Sequence, residues 1–357
     1  MLAELTEQLK RGVALSGEQV RAAVIQLAEE KVSAEAKAAF LTALAVKGET
    51  TEEIAAFAHE LRALSLQPLL DDETRTREIV DVCGTGGDRL NTFNISTTVA
   101  IVVASAGVTV AKHGNRAITS QAGSADVLEA LGIRVDLAPE EAARWLRERG
   151  FAFFFAQKYH PAFKHIAPAR KLCAERGQRT IFNFLGPLLN PARPTAQLVG
   201  VPRAELCEPM ARVLQSLGVR RGMVVSGQVD GVQSSSGGTT RSVSYLDELS
   251  TLGPNTIAEF YQDRGFHQST LSLEQFPVQT AKLSDLAGAD AQTNAAIVTR
   301  LLHREELGPR RDAVLLNASA ALLVAGRART LSDGWDLAAE LIDGGRAKAK
   351  LAELQQP

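Results

Sequence analysis

Three short runs hold the residue types that a multiply charged phosphate ligand needs: Asp81-Val-Cys-Gly-Thr-Gly-Gly-Asp88, Asn94-Ile-Ser-Thr97 and Lys112-His-Gly-Asn-Arg116. They fall within thirty-six residues. The first is a glycine-rich turn behind an apolar segment, and backbone N–H groups approach oxyanions most closely where side chains are absent. The second sets hydroxyls where a helix would begin, at Ser96-Thr97, adding orphan N–H groups and the positive end of a helix dipole. The third is a cationic turn behind another apolar segment. A turn such as Gly84-Thr-Gly-Gly87 is by itself ordinary. The three in this order predict a phosphate site.

Elements of two kinds must position these runs. Residues 1–66 read as helices only. Leu2, Leu5 and Leu9 share a face; Ser16-x-x-Gln19 and Thr50-x-x-Glu53 are capping-box patterns opening helices striped by Val20, Val24, Leu27 and by Ile54, Phe57, Leu61. Ser33 precedes another helix that closes at Gly48. From Glu78 the pattern changes: apolar segments of strand length (Ile79–Cys83, Val108–Ala111, Phe151–Ala156, Met223–Val225) alternate with helical stretches. That is the signature of an α/β domain with a mostly parallel central sheet. The expected organisation is a small all-helical domain over 1–70 and a large α/β domain over 71–357. Ser124–Leu131, Pro139–Gly150 and the apolar Asp312–Ala325 read as helices, and Ser332 as the cap of a last one. Gly227–Ser244, rich in Ser, Gly and Thr, reads as a mobile surface loop.

The chain has 357 residues, 45% apolar and 22% charged, with a formal net charge of −2. That balance suits a globular protein and offers no support for a nucleic-acid or anionic-membrane partner. Cys83, Cys173 and Cys207 are widely spaced with no Cys-x-x-Cys, which points to reduced thiols and neither a zinc site nor a disulfide framework. Glu4 and Glu7 interrupt the first residues, and the longest apolar run, Val99 to Ala111, is too short for a membrane span. A cytoplasmic location is expected.

Longer motifs narrow the reading. Gly84-Thr-Gly-Gly-Asp88, Asn94-Ile-Ser-Thr97, Lys112-His-Gly-Asn-Arg116, Gly123-Ser-Ala-Asp126, His160-Pro-Ala162, Arg170, Thr180-Ile-Phe-Asn183, Leu185-Gly-Pro-Leu-Leu-Asn-Pro191 and Asp312-Ala-Val-Leu-Leu-Asn317 stand in succession over nearly the whole chain. In this the sequence resembles the anthranilate phosphoribosyltransferases, which transfer the phosphoribosyl group of PRPP (phosphoribosyl diphosphate) to the amine of anthranilate in tryptophan biosynthesis. The resemblance implies a homodimer formed through the helical domain, joined there by helices from about residues 163–190. It implies PRPP contacts from Gly84, Gly87, Asp88, Thr92, Asn94, Ile95, Ser96 and Thr97. Others would come from Lys112, His113, Gly114, Asn115, Arg116, Ala117, Ile118, Thr119, Ser120 and Ser124. Gly84, Asn115 and Arg170 would meet anthranilate. A guanidinium suits a carboxylate through its paired donors, although a lone helical arginine is more often in a surface ion pair.

One departure bears on the metal. After the segment Met223–Val225 the family pattern calls for an Asp-Glu pair, Ser and Gly-Pro, but Asp230-Gly-Val-Gln233 has none of these. Leu246-Asp-Glu-Leu-Ser250 and Gly253-Pro254 restore it, so Gly227–Ser244 reads as an insertion, and Lys171–Gln178 as a smaller one. Diphosphate leaves readily only once its charge is neutralised. Mg²⁺ favours hard oxygens and keeps several waters, so adjacent carboxylates suffice beside the substrate's own oxygens. Asp247 and Glu248 meet that need, with Ser96 as the hydroxyl ligand the resemblance implies and two Mg²⁺ expected per site. In isolation the pair would be a solvated acidic turn.

His113 and His160 are not assigned as general base. The attacking amine has its own lone pair, so rate should come from positioning and charge stabilisation. Two rivals differ in their demands. A pyrimidine-nucleoside phosphorylase would use a Lys-His-Ser phosphate loop and has no need of Asp247-Glu248. A non-catalytic nucleic-acid-binding relative of the same fold would need clustered Lys and Arg.

Overall fold

The computed structural model describes residues 1–117, 121–229, 243–262 and 265–356. α1 (Leu2–Lys10), α2 (Gly17–Ala28), α3 (Ala34–Lys47) and α4 (Thr51–Ala63) make the helical unit. Both capping boxes are closed: Ser16 and Thr50 accept from the backbone three residues on, and Gln19 and Glu53 return the bond. Leu5, Leu9, Val24, Leu27, Phe40 and Phe57 are buried together, so the apolar stripes face one another.

After α5 (Asp72–Thr76) comes an eight-stranded sheet. β1 (Ile79–Gly84), β2 (Thr109–Gly114), β3 (Phe151–Phe155), β4 (Ala196–Gly200) and β5 (Arg221–Val229) run parallel in the order β3-β2-β1-β4-β5. β6 (Ser244–Leu246) and β7 (Asn255–Tyr261) pair antiparallel with β5, and β8 (Gly265–Leu271) with β7. The helices are α6 (Ile95–Ser105), α7 (Ser124–Ala130), α8 (Pro139–Arg149), α9 (Ala156–Tyr159), α10 (Ala167–Glu175), α11 (Phe182–Leu185), α12 (Cys207–Ser216), α13 (Ala291–Leu302), α14 (Pro309–Val324), α15 (Leu331–Asp343) and α16 (Arg346–Leu354). This is the small helical domain beside a large, mostly parallel α/β domain that the pattern predicts.

Alternation along the strands separates two cores. Leu198, Met223 and Ile257 join α6, α14 and α15 on one face. Val199, Val224 and Ala258 turn to α12, the helical unit and residues Ile166, Ala169, Cys173 and Phe182. The segment around α10 therefore packs with the N-terminal helices; the buried Lys37 of α3 donates to the His165 carbonyl at 2.8 Å. α6 and α14 are apolar nearly all round because both are enclosed.

Several expectations are corrected. β2 runs on to Gly114, so Lys112 and His113 end a strand and do not lie in a turn. α6 opens one residue early, at Ile95, on Asn94. Thr330 and not Ser332 caps α15, and α16 follows it. The ends of the expected loop Gly227–Ser244 are strand: Gly227 pairs with Leu246 and Val229 with Ser244, while 230–242 lie outside the described residues. Within the segment read as a smaller insertion, Lys171–Glu175 are helix, the end of α10, which leaves that reading as it stood.

Candidate active site

The motifs meet at the C-terminal ends of the parallel strands. Behind β1 the chain turns through Gly86 and Gly87, at φ +74° and +88°, the left-handed region where a side chain would be strained. This turn receives a residue from far along the chain: the Gly86 N–H donates to Asp247 Oδ2 at 2.7 Å. The Asp247 backbone crosses the ends of β1 and β4 so closely that a Cβ on Gly84 would lie 2.0 Å from Asp247 Oδ2. One on Gly200 would lie 1.6 Å from the Asp247 carbonyl oxygen. Gly84 is thus needed to admit the acidic segment, a role distinct from the ligand contact expected of it.

Ser96, in the first turn of α6, lies close enough to Glu248 for its backbone and hydroxyl to favour the ionised carboxylate. Asn94 makes no side-chain cap there, and the Ile95 N–H is taken by the Phe93 carbonyl at 2.7 Å, so the Ile95 amide is not free for phosphate. The Ile95 side chain is core. Thr97 is buried with its Oγ1 lacking a partner among the described residues. Lys112 is buried too: its Nζ donates to the Val82 carbonyl at 2.7 Å and lies 3.4 Å from Ser96 Oγ. It faces the acidic cluster from below.

Burial holds the Asp247 carboxyl well above the usual carboxylate range, with Asp88 and Glu248 adding repulsion. Burial likewise pushes Glu248 up to about 7, against the pull of Lys112. Hard oxygens of like charge, desolvated and converging on a hydroxyl, are a donor set that a divalent cation would relieve. Ser96, Asp247 and Glu248 therefore fit Mg²⁺.

Beyond β2, Asp126 of α7 gathers the next loop. Its Oδ2 accepts from both Ala117 N and Gly123 N at 2.9 Å, so the Ala117 amide is occupied. Arg116 turns outward, paired with Asp126 at 2.9 Å and Glu129 at 2.6 Å, and its guanidinium is committed away from a phosphate. The Asn115 carbonyl accepts from Ser124 Oγ at 3.3 Å, and Gly114 has no room for a Cβ, which would sit 2.2 Å from that hydroxyl. Thr92 forms a β-bridge with Ala287. Ile118, Thr119 and Ser120 lie outside the described residues.

A continuous file of rings leads from β2 to Arg170. His113 and His160 are 5.2 Å apart, His160 and Phe163 5.1 Å, Phe163 and Phe182 5.5 Å, and the Arg170 guanidinium stands 5.1 Å above Phe182. Burial lowers the Arg170 pKa, and it has no carboxylate partner among the described residues. His113 Nδ1 faces the Gly186 carbonyl at 3.1 Å and must carry the hydrogen, which leaves its Nε2 lone pair closed in against His160 Nε2 at 3.2 Å. Burial and the facing imidazole push His113 down to about 3; burial and nearby Arg62 hold His160 at about 4. Buried and facing a second imidazole, His113 is no poised base.

Other residues escape motif reading because they touch the site only through another group. Asn190 joins Asp81 at 2.9 Å to the Ala111 carbonyl at 2.7 Å, holding β1 against β2. Asn317 grips Leu249 beside the acidic pair. Three carbonyls of the block after α11 are met by three separate elements: Gly186 by His113, Pro187 by Gln197 at 3.0 Å, and Leu188 by Arg62 of α4. Asn190 and Asn317 do lie inside the quoted motifs, which was the available signal.

A helical bundle beside an α/β domain, with glycine turn, acidic pair and helix start at the strand ends, defines a glycosyl transferase architecture. Residues 3–65 match the glycosyl transferase family helical bundle domain and residues 76–348 its a/b domain. An anthranilate phosphoribosyltransferase from Symbiobacterium thermophilum is 44% identical over 357 residues, 99% of this chain and 96% of its own. That of Geobacter sulfurreducens is 48% identical over 327 residues, covering 89% and 88%. The crystal structure of the Thermus thermophilus enzyme aligns with a TM-score of 0.84 at 39% identity, covering 98% of each chain. The Saccharomyces cerevisiae enzyme, solved in complex with PRPP and Mg, aligns at 0.83 and 26% identity, covering 99% of this chain and 96% of its own. The chain belongs to the anthranilate phosphoribosyltransferase family.

Proposed function

We propose that the cleft at the strand ends binds PRPP against the glycine turn, the start of α6 and the loop after β2, with anthranilate on the Arg170 side. The reaction is transfer of 5-phosphoribosyl from PRPP to the amine of anthranilate, giving N-(5-phosphoribosyl)anthranilate and diphosphate, in tryptophan biosynthesis. The C1–O bond to diphosphate breaks, the C1–N bond forms, and the amine gives its proton to solvent. The observation that carries this reading is the 2.7 Å contact between Gly86 N and Asp247 Oδ2, which unites phosphate turn and metal pair across 161 residues.

Backbone N–H groups of Gly87 and Thr97 offer donors to phosphate oxygens, the Gly86 N–H being taken by Asp247. Ser96, Asp247 and Glu248 hold Mg²⁺, two ions per site, which when bound neutralises charge on the departing diphosphate. Lys112 balances the buried carboxylates from beneath. Arg170 and Asn115 orient anthranilate, and the file of rings from His113 to Phe182 excludes water beside it. No residue need act as a strong base, because the free amine already has its lone pair.

The rivals find no support. The cations Arg77, Arg147, Arg327 and Lys350, gathered at the opposite ends of the strands, are spent on carbonyls and carboxylates, Arg327 on Gly107 O at 2.9 Å and Lys350 on Arg149 O at 2.9 Å.

A homodimer through the helical unit is part of the proposal. Val13, Ile25, Val46, Leu64 and Leu66 are exposed there, 40–74% of each, more apolar surface than a lone bundle needs to show. Among the described residues no helix is long and apolar enough to cross a membrane. The three buried free cysteines suit the reducing cytoplasm. The test is anthranilate fluorescence with and without PRPP and Mg²⁺: consumption should need both, and consumption without PRPP would refute the reading.

A further inference from the structure

Asn294, on α13, stands 200 residues from Asn94, yet their side chains meet: Asn294 Nδ2 donates to Asn94 Oδ1 at 2.9 Å. Which end of each amide points where is fixed by the network. Asn294 Oδ1 accepts the Ala289 N–H at 2.8 Å, and only an oxygen can do so. Its other end is therefore NH₂, which also reaches the Ala289 carbonyl at 3.2 Å. An NH₂ facing Asn94 can be satisfied only by the Asn94 oxygen. The Asn94 NH₂ must then point the other way, where its one contact among the described residues is a marginal 3.5 Å approach to the Ala122 carbonyl. That direction is toward Ala122, which lies between β2 and α7.

The backbone around this pair is braced in the same sense. Thr92 and Ala287 form an antiparallel bridge; Phe93 N donates to Leu286 O at 2.9 Å and Gly288 N to Asn91 O at 2.9 Å. Gly288 lies so close that a Cβ would sit 2.8 Å from Thr92 O. Asn294 is 2% exposed, so in the intact fold no bulk water competes for its bonds.

We infer that Asn294 is a positioning residue for the transfer: it sets the polarity of Asn94, holding the amide donor toward the anionic substrate and its oxygen away. Without it, Asn94 presents donor or acceptor with similar ease, and an acceptor turned to a phosphate repels it. The inference rests on the reading that Asn94 contacts PRPP, and the experiment separates the two.

Asn294→Asp keeps the shape and the bond from Ala289 N but replaces the donor by an acceptor, which turns the Asn94 NH₂ inward and its oxygen to the substrate. Steady-state kinetics at saturating Mg²⁺ should show the KM for PRPP raised about ten- to a hundredfold, as for a lost charge-assisted bond. The KM for anthranilate should stay within about twofold. The new carboxylate also repels phosphate through space, so the same change is made in an Asn94→Ala background. An effect passing through Asn94 vanishes there; a through-space or merely structural effect persists and overturns the inference. Asn294→Ser, which keeps an acceptor for Ala289 and sets no amide direction, should give a smaller rise and covers the case in which Asn294→Asp does not fold. If Asn94→Ala alone raises the KM for PRPP while neither Asn294 variant does, the inference fails and the substrate reading stands. If Asn94→Ala leaves that KM unchanged, the substrate reading of Asn94 fails and the inference falls with it.

Discussion

Asn317 brackets Leu249: its Oδ1 accepts the Leu249 N–H at 2.8 Å and its Nδ2 donates to the Leu249 carbonyl at 2.8 Å. A third bond, to Ala313 O at 2.9 Å, fixes the amide within α14. The fully buried asparagine thus acts as one rung of a β-ladder, and the residue it holds follows directly on the acidic pair.

Asn317→Ala should therefore loosen the metal site before it touches substrate recognition. The Mg²⁺ concentration for half-maximal rate is expected to rise roughly ten- to a hundredfold, the usual cost of losing an outer support of a metal ligand. Two buried backbone groups left unpaired cost about 1–3 kcal/mol each, so the melting temperature should fall as well. A Mg²⁺ titration with an unchanged midpoint would show that Leu249 does not transmit to Glu248.

The acidic pair should behave in the opposite way. Asp247 and Glu248 are buried like charges whose carboxyls are held high by desolvation, so without metal they oppose folding. Asp247→Asn with Glu248→Gln should cut turnover by about a hundredfold or more. The metal-free protein should melt no lower than the parent. Thermal melts in excess chelator decide this, and a marked drop would make the pair a structural element.

Arg170→Ala should raise the KM for anthranilate about ten- to a hundredfold while leaving that for PRPP within a few-fold. Lysine should rescue in part, since it keeps the charge without the planar fork. A change confined to PRPP would reverse the two sides of the cleft.

Stability should fall in mild acid. His113 and His160 titrate at about 3 and about 4 when folded, below their ordinary 6.5, so the unfolded chain takes up protons first. Their contribution is complete above pH 6.5 and is lost as pH falls from there to about 4, by about 1.4 kcal/mol per pH unit per histidine. Asp81, pushed up to about 6 by burial, works against them, since its folded form takes the proton more readily. Replacing both histidines by asparagine should flatten the melting temperature between pH 6.5 and 4. An equally steep profile would assign the loss to other groups.

What could be read from the chain was what is encoded locally. The capping boxes at Ser16 and Thr50 and the apolar segment before Gly84 declare themselves within a few residues. β4 was missed because Gln197 interrupts five buried residues, and its amide is explained only by Pro187, which it meets in the fold. β8 was missed because an edge strand with mostly exposed side chains shows no apolar alternation. In the site, the acidic pair emerged only through the family resemblance, whereas the glycines and the hydroxyls that open α6 were legible from residue type. The outward turn of Arg116 was not, since the partner Glu129 lies thirteen residues on in a helix whose facing direction depends on tertiary packing. Asn317 stands in a quoted motif that does not disclose its role, and Asn294, which acts only through a neighbour, is marked by no local pattern.

The three carbonyls after α11 have a consequence for genetics. Arg62 belongs to α4, is almost wholly buried and donates its Nε hydrogen to Leu188, while His113 and Gln197 serve the two residues before it. Its Nη2 has no partner among the described residues, so the guanidinium is kept for one carbonyl, at a burial cost that lowers its pKa to about 10. By map position, alleles at codon 62 would be filed with the helical unit, alongside those that deplete the protein. They should instead sort with alleles of His113 in impairing growth without tryptophan and in partial rescue by added anthranilate, beyond what the lost stability of one unpaired carbonyl explains.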